Sequence, residues 1–116
     1  MPEKHKAHEL NGTSGHDVLT STHGDDILTG KAGSDTFVFR LGNGHDQITD
    51  FQTGGALWQP KDIVDLRGAG FTGFGDLIQH LHETSAGTQI SMHDGGTILL
   101  KGIHENALLA DNFRIF

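Results

Sequence analysis

The chain has no cysteine and no tyrosine, two prolines and a single tryptophan among 116 residues. Without cysteine there is no disulfide and no thiolate metal site. Basic side chains are also scarce, eight against fifteen acidic ones, for a formal charge of −7 with histidine neutral. That balance argues against nucleic acid or an anionic membrane as partner, because both attract clusters of Lys and Arg. No apolar run approaches the ~18–20 residues that cross a bilayer, so no stable membrane insertion is expected. The opening MPEKHKAHEL lacks the apolar h-region of a cleaved secretory signal, so export would need another route. Only 34% of the residues are hydrophobic, which predicts one domain with a thin core that needs support of another kind.

What the chain has instead is glycine and aspartate. There are 17 Gly, and 11 of the 15 acids are Asp. Asp favours turns and holds its carboxylate close to the backbone, whereas Glu is the better helix former. Between Gly12 and Asp50 every acid is Asp. A metal cation is the natural counter-charge for such a segment.

Written in nines, the sequence repeats: GTSGHDVLT (12–20), STHGDDILT (21–29) and GKAGSDTFV (30–38), without gaps. Position four is Gly15, Gly24 and Gly33, position six is Asp17, Asp26 and Asp35, and position eight is Leu19, Leu28 and Phe37. A looser copy, LGNGHDQIT (41–49), keeps Gly44, Asp46 and Ile48 after the extra residues Phe39 and Arg40. Glycine permits the tight turn that exposes carbonyl oxygens, and the Asp two residues later points into the same concave space. The next three residues alternate, as in Ile27, Leu28, Thr29, which fits a short strand with its middle side chain buried. Each nonapeptide is then half a coil, and two complete one turn of a flattened right-handed helix of strands. Copies 18 residues apart are expected side by side at the ~4.8 Å strand spacing.

Such stacking puts Asp17 beside Asp35, and Asp26 near Asp46. Two carboxylates in a turn lined with carbonyls repel each other unless a hard divalent cation with six to eight oxygen ligands lies between them. Calcium fits better than magnesium, which keeps its waters in a small octahedral shell, and better than zinc, for which no Cys or suitable His spacing exists. The candidate metal ligands are Asp17, Asp26, Asp35 and Asp46, the turn residues Gly12, Gly15, Gly24, Gly30, Gly33 and Gly44, and Asp25 beside the second edge. There the insertion sets Asp26 and Asp46 20 residues apart, so that site is expected to be distorted, or completed by Asp25 or by carbonyls near Gly42 and Gly44.

These residues resemble the glycine-rich, aspartate-containing nonapeptide repeats of the RTX family, the calcium-binding β-roll proteins exported by bacterial type I secretion systems. SDTFVF (34–39), GHDQITDF (44–51) and DIVDLRGAGF (62–71) resemble the segment that closes such rolls in the C-terminal domains of secreted proteases, lipases and polysaccharide-modifying enzymes. The chain departs from the pattern at position two, where Thr13, Thr22 and Lys31 replace glycine, and at Ser21 in position one. The resemblance implies a mostly all-β fold, a short parallel β-roll or right-handed β-solenoid with a C-terminal cap of a β-hairpin and short helices. It also implies Ca2+ as cofactor, the type I secretion machinery as partner, a secreted location without a cleaved N-terminal signal, and an uncleaved export signal in the last several dozen residues.

The expected organisation is a solvated, disordered arm over 1–10, calcium-binding repeats over 11–51, and a capping region with the secretion signal over 52–116. In the cap, residues 75–83 read as a short amphipathic helix with Leu77, Ile78 and Leu81 on one face. TQISM (88–92) and TILLKGI (97–103) flank a Gly-rich turn as a hairpin. Asn106 reads as an N-cap for ALLAD, and the terminal NFRIF as a last strand, an export signal, or both. Asp50, Asp62 and Asp65 are either further calcium ligands or turn and edge carboxylates.

No catalytic constellation is expected. Position 108, which the helical zinc-peptidase motif beginning at His104 would need as His, is Leu108, and His80 and His82 have the wrong helical spacing. The G-x-S-x-G elbow is absent, and any glycosidase-like acid pair is better explained by the repeat. The nine histidines are scattered and read as surface residues. The leading function is a calcium-binding module whose folding supports export and extracellular stability. The alternative is an accessory C-terminal module of a larger secreted enzyme or adhesin, with polysaccharide as the contact that reading adds. A flexible Gly/Asp linker is the weakest reading, because a linker has no reason to keep the apolar eighth position.

Overall fold

The computed structural model describes residues 8–22, 24–40, 44–54 and 61–115. Most of the arm expected over 1–10, the Gly42 carbonyl and Phe116 lie outside them. The chain is mostly strand with little helix: β1 (His8–Asn11), β2 (Val18–Thr20), β3 (Asp26–Thr29), β4 (Thr36–Arg40), β5 (His45–Ile48), β6 (Ile63–Gly68), α1 (Phe74–Ile78), β7 (Leu81–Thr84), β8 (Gly87–Ser91), β9 (Thr97–Lys101) and β10 (Phe113–Arg114). Successive strands through β6 alternate between two sheets. One has the order β1-β3-β5-β9-β8-β7 and the other β10-β6-β4-β2. All pairs are parallel except β9-β8 and β8-β7.

The eighth repeat position builds the core. Leu10, Leu28, Ile48 and Leu100 lie side by side across the first sheet, and Leu19, Phe37, Val64 and Phe113 across the second. Leu28, Phe37, Ile48, Val64 and Leu100 are wholly buried. Because strand side chains alternate, one buried position per short strand suffices. Full burial of each such side chain stabilises by roughly 1.5–3 kcal/mol. The row runs through the cap as well as the repeats, so both halves share one core.

Several expected elements change. His8–Asn11, the end of the expected arm, is a strand paired with β3, and Leu10 extends the apolar row. The two-residue insertion leaves register intact: Ile27 pairs with Gln47 and Leu28 with Ile48, so Asp46 still meets Asp26. The helix expected over 75–83 stops at Ile78, which is 48% exposed, while Leu81 is buried in β7. Pairing with β8 supplies ladder hydrogen bonds across Leu81–Thr84 that a second helical turn would forgo, and the Thr84 hydroxyl donates to the Gly87 carbonyl at 2.8 Å to tighten the hairpin. The hairpin over β8 and β9 forms as expected. Asn106 lies inside a 3₁₀ turn, Glu105–Ala107, rather than capping a helix. Extended backbone at Leu108 and Leu109 ends that turn, and Leu108 is thereby buried. No helix among the described residues is long and apolar enough to cross a membrane.

Asn112, wholly buried, ties the chain end to the second sheet. Its Nδ2 donates to the carbonyls of Thr53 and Asp62, both at 3.1 Å, and its Oδ1 accepts the Leu109 N–H at 2.9 Å. Asn112→Ala strands these groups away from water and is expected to cost about 3 kcal/mol in urea unfolding. Asp111→Ala next to it, which removes an exposed ion pair to Lys61, is expected to leave the midpoint nearly unchanged; equal effects would show that Asn112 is not the tie.

Candidate metal centre

The sixth repeat position forms two columns of aspartates along the sheets. On the second sheet the Asp17 N–H donates to Asp35 Oδ1 at 2.9 Å, and the Asp35 N–H to Asp62 Oδ1 at 2.7 Å. On the first sheet the Asp26 N–H donates to Asp46 Oδ1 at 2.7 Å. Ile98 takes the next place and ends that column. Asp35, Asp46 and Asp62 each use one carboxylate oxygen to hold the backbone N–H of the preceding rung. Asp26, Asp35, Asp46 and Asp62 are all at least 96% buried, and Asp17 is half-buried.

The glycines stack with them. A Cβ on Gly33, whose φ is 84°, would lie 2.6 Å from the Gly15 carbonyl oxygen. One on Gly44, at φ 77°, would lie 2.9 Å from both the Gly24 carbonyl and Asp25 Oδ1. Only glycine combines that conformation with so close an approach. Gly12 lies against Gly30 and Asp17, and Gly30 packs directly under Asp35 Oδ2. All six expected turn glycines thus line the two edges. Asp25 is exposed beside the second column, where its Oδ1 accepts the His45 N–H at 2.9 Å.

Burial of so many carboxylates shifts their protonation. Desolvation pushes Asp46 up to about 8, with the Asp26 and Asp25 charges adding to it and the Asp26 N–H opposing it. Desolvation also raises Asp62 to about 6 against the N–H groups of Asp35 and Gln52, and it raises Asp35. Asp65 behaves differently: burial would raise it, but the Arg67 guanidinium, 2.9 Å away, holds it below its ordinary value. Asp65 is therefore an ion-pair partner. Asp50 is a turn carboxylate that accepts the N–H groups of Gly30 at 2.9 Å and Lys31 at 2.7 Å.

Among the buried side-chain oxygens, Asp35 Oδ2, Asp46 Oδ2 and Gln52 Oε1 have no hydrogen-bond partner. One unpaired carboxylate oxygen thus stands in each column, next to glycine turns. Among the described residues no group of three or more His, Cys, Asp or Glu side chains is arranged to hold a metal by itself. A cation here would need backbone carbonyl oxygens beside the carboxylates, a donor set that suits a hard ion with many oxygen ligands. The orphaned oxygens and the glycine carbonyls fit that requirement.

Asp62 is the third rung of its column, although it lies 27 residues beyond Asp35. The signal is its spacing: Asp62 and Val64 repeat the Asp-x-apolar pattern of Asp17 and Leu19 or Asp35 and Phe37. Gly96 likewise extends the Gly24 and Gly44 stack, 2.7 Å from the Gly44 carbonyl for an added Cβ.

Raised carboxylates make the metal-free fold bind more protons than the unfolded chain between about pH 4 and pH 8. Its stability is therefore expected to fall as pH rises through that window. Melting of chelator-stripped protein should show a higher midpoint at pH 5 than at pH 7.5; a midpoint that rises with pH would contradict the buried columns.

Comparison with known proteins adds two findings. The RTX calcium-binding nonapeptide repeat matches residues 9–37 in four copies. The chain is also 32% identical over 80 residues to Endo-1,3-1,4-beta-glycanase EglC of Rhizobium meliloti (strain 1021). That alignment covers 69% of this chain and 16% of the glycanase, so the chain spans about a sixth of that relative's length. The glycine turns, the aspartate columns and the matched segment agree: residues 9–37 belong to the RTX calcium-binding nonapeptide repeat family.

Proposed function

We propose that the two sheets form a short β-roll that binds calcium through Asp17, Asp26, Asp35, Asp46 and the adjoining glycine turns, and that this binding stabilises the fold outside the cell. The observation that carries the reading is the unpaired, buried oxygen of Asp35 and of Asp46, one in each column of a calcium-repeat segment. Calcium supplies the positive charge that the columns lack and a partner for their unpaired oxygens. The chain supplies the rest: glycine turns that present carbonyls, an apolar row that holds register, and carboxylates fixed by neighbouring N–H groups.

RTX repeats occur in secreted bacterial proteins, and the link to export follows from the same physics. Where calcium is scarce, charge repulsion within the columns keeps the chain loose enough to pass an export channel unfolded. Near-millimolar calcium outside the cell matches the ~10⁻⁴–10⁻³ M affinities of extracellular modules and drives folding there. We place the type I secretion machinery as its transporter and the signal in the C-terminal region. Likeness to part of a glycanase supports the second reading, a non-catalytic module of a larger secreted enzyme that contacts polysaccharide.

Calcium at about 100 times its dissociation constant adds about 2.7 kcal/mol per site, a rise in melting temperature on the order of 10 °C for a domain this small. Circular dichroism melts with calcium and with chelator check it, and identical curves would end the calcium reading. For export, a reporter fused ahead of the full chain is expected in the medium only when a type I transporter is co-expressed.

A further inference from the structure

The four copies differ at position two, and the difference tracks which carboxylates are open. In the first copy the Thr13 N–H donates to Asp17 Oδ2 at 2.7 Å, and the Thr13 hydroxyl reaches Oδ1 at 3.1 Å. In the second, the Thr22 N–H donates to Asp26 Oδ2 at 2.8 Å and its hydroxyl to Oδ1 at 2.7 Å. Both oxygens of Asp17 and of Asp26 are thus occupied from within their own turns. In the third copy position two is Lys31, at φ 65°, the one non-glycine residue with positive φ among the described residues. That left-handed backbone turns the Lys31 N–H away from Asp35 and onto Asp50 Oδ2 at 2.7 Å. Asp35 Oδ2 is left without a partner. In the fourth copy position two, Gly42, lies outside the described residues, and Asp46 Oδ2 is unpartnered too.

We propose that position two of the first three nonapeptides gates their carboxylates and narrows the four-aspartate calcium set: Thr13 and Thr22 close Asp17 and Asp26, so cation uptake centres on Asp35 and Asp46, one ion per edge. A β-branched residue resists positive φ, so threonine keeps its N–H on its own carboxylate and adds a hydroxyl to hold it. Lys31 enters the left-handed region instead, with its N–H retained by Asp50. A cation arriving at Asp17 or Asp26 must displace two hydrogen bonds to the same carboxylate. One arriving at Asp35 or Asp46 meets a buried oxygen whose desolvation is otherwise uncompensated. The threonines thereby fix the repeats at the N-terminal end without metal, and calcium acts where the repeats join the cap.

The inference rests on the calcium-binding reading, and calcium titration by isothermal calorimetry separates the two. Wild type is expected to take up one ion per edge. Thr13→Gly with Thr22→Gly frees two carboxylates and should add at least one ion, while Lys31→Thr turns an N–H back onto Asp35 and should remove one. Far-UV circular dichroism at saturating calcium checks that each variant is folded. Wild type that binds calcium while folded variants bind the same number overturns the gating alone; wild type that binds none overturns the calcium reading and the gating with it. Where a variant does not fold, the wild-type count decides, since more than one ion per edge contradicts closed Asp17 and Asp26.

Discussion

A hydrogen bond from the backbone N–H of one aspartate to the carboxylate of the next governs this structure. At Asp17 to Asp35, Asp35 to Asp62 and Asp26 to Asp46 it takes the place where a sheet turns a corner and the ordinary ladder stops. Backbone N–H groups buried at such corners need an acceptor, and the carboxylate provides a strong one. Each bond also fixes which residue stacks on which, so the apolar eighth position falls into line two residues later. Core and columns are therefore coupled: the acids that desolvation disfavours are the same groups that place Leu28, Phe37, Ile48 and Val64 in the interior.

The sequence showed the stacking because its period is short and its columns carry chemistry as well as hydrophobicity. Glycine, aspartate and the apolar position recur at fixed spacing, and the registers of β2 on β4 and β3 on β5 follow those columns. The insertion of Phe39 and Arg40 reads as disruptive in the sequence, yet the two residues simply lengthen β4, where Phe39 is wholly buried and Arg40 pairs with Gly68, and the register of β3 on β5 is kept. Asp62 was harder to place because 27 residues separate it from Asp35, and only its two-residue distance to Val64 shows which column it joins. Residues 81–83 read as helix in the sequence because Leu77, Ile78 and Leu81 have helical spacing, but they fold as part of β7. A five-residue helix is marginal without tertiary support, and the edge of β8 offered more.

The C-terminal region does not simply sit on the end of the repeats. β6, β9 and β10 lie in the same two sheets and contribute Val64, Leu100 and Phe113 to the same apolar rows. What changes along the rows is polarity. On the first sheet Ile98 succeeds Asp46, and on the second Asn112 binds the Asp62 backbone carbonyl with its amide. The acidic columns are thus closed by one apolar and one neutral polar residue. The antiparallel hairpin then covers the edge beyond β9, where an uncovered parallel strand would invite pairing with another chain.

The ends of the columns differ for a physical reason. At the N-terminal end Asp17 and Asp26 each face a threonine in their own turn, so the charge is dispersed over an N–H and a hydroxyl, whether the carboxylate is half-buried, as Asp17 is, or buried, as Asp26 is. Toward the C-terminal end the threonine partners are gone, and the buried Asp35 and Asp46 each keep one oxygen unpaired. Burying an unpaired carboxylate oxygen is destabilising unless it stays protonated or meets a cation. Destabilisation concentrated where the repeats meet the cap makes that junction the part of the fold with most to gain from a proton or a cation.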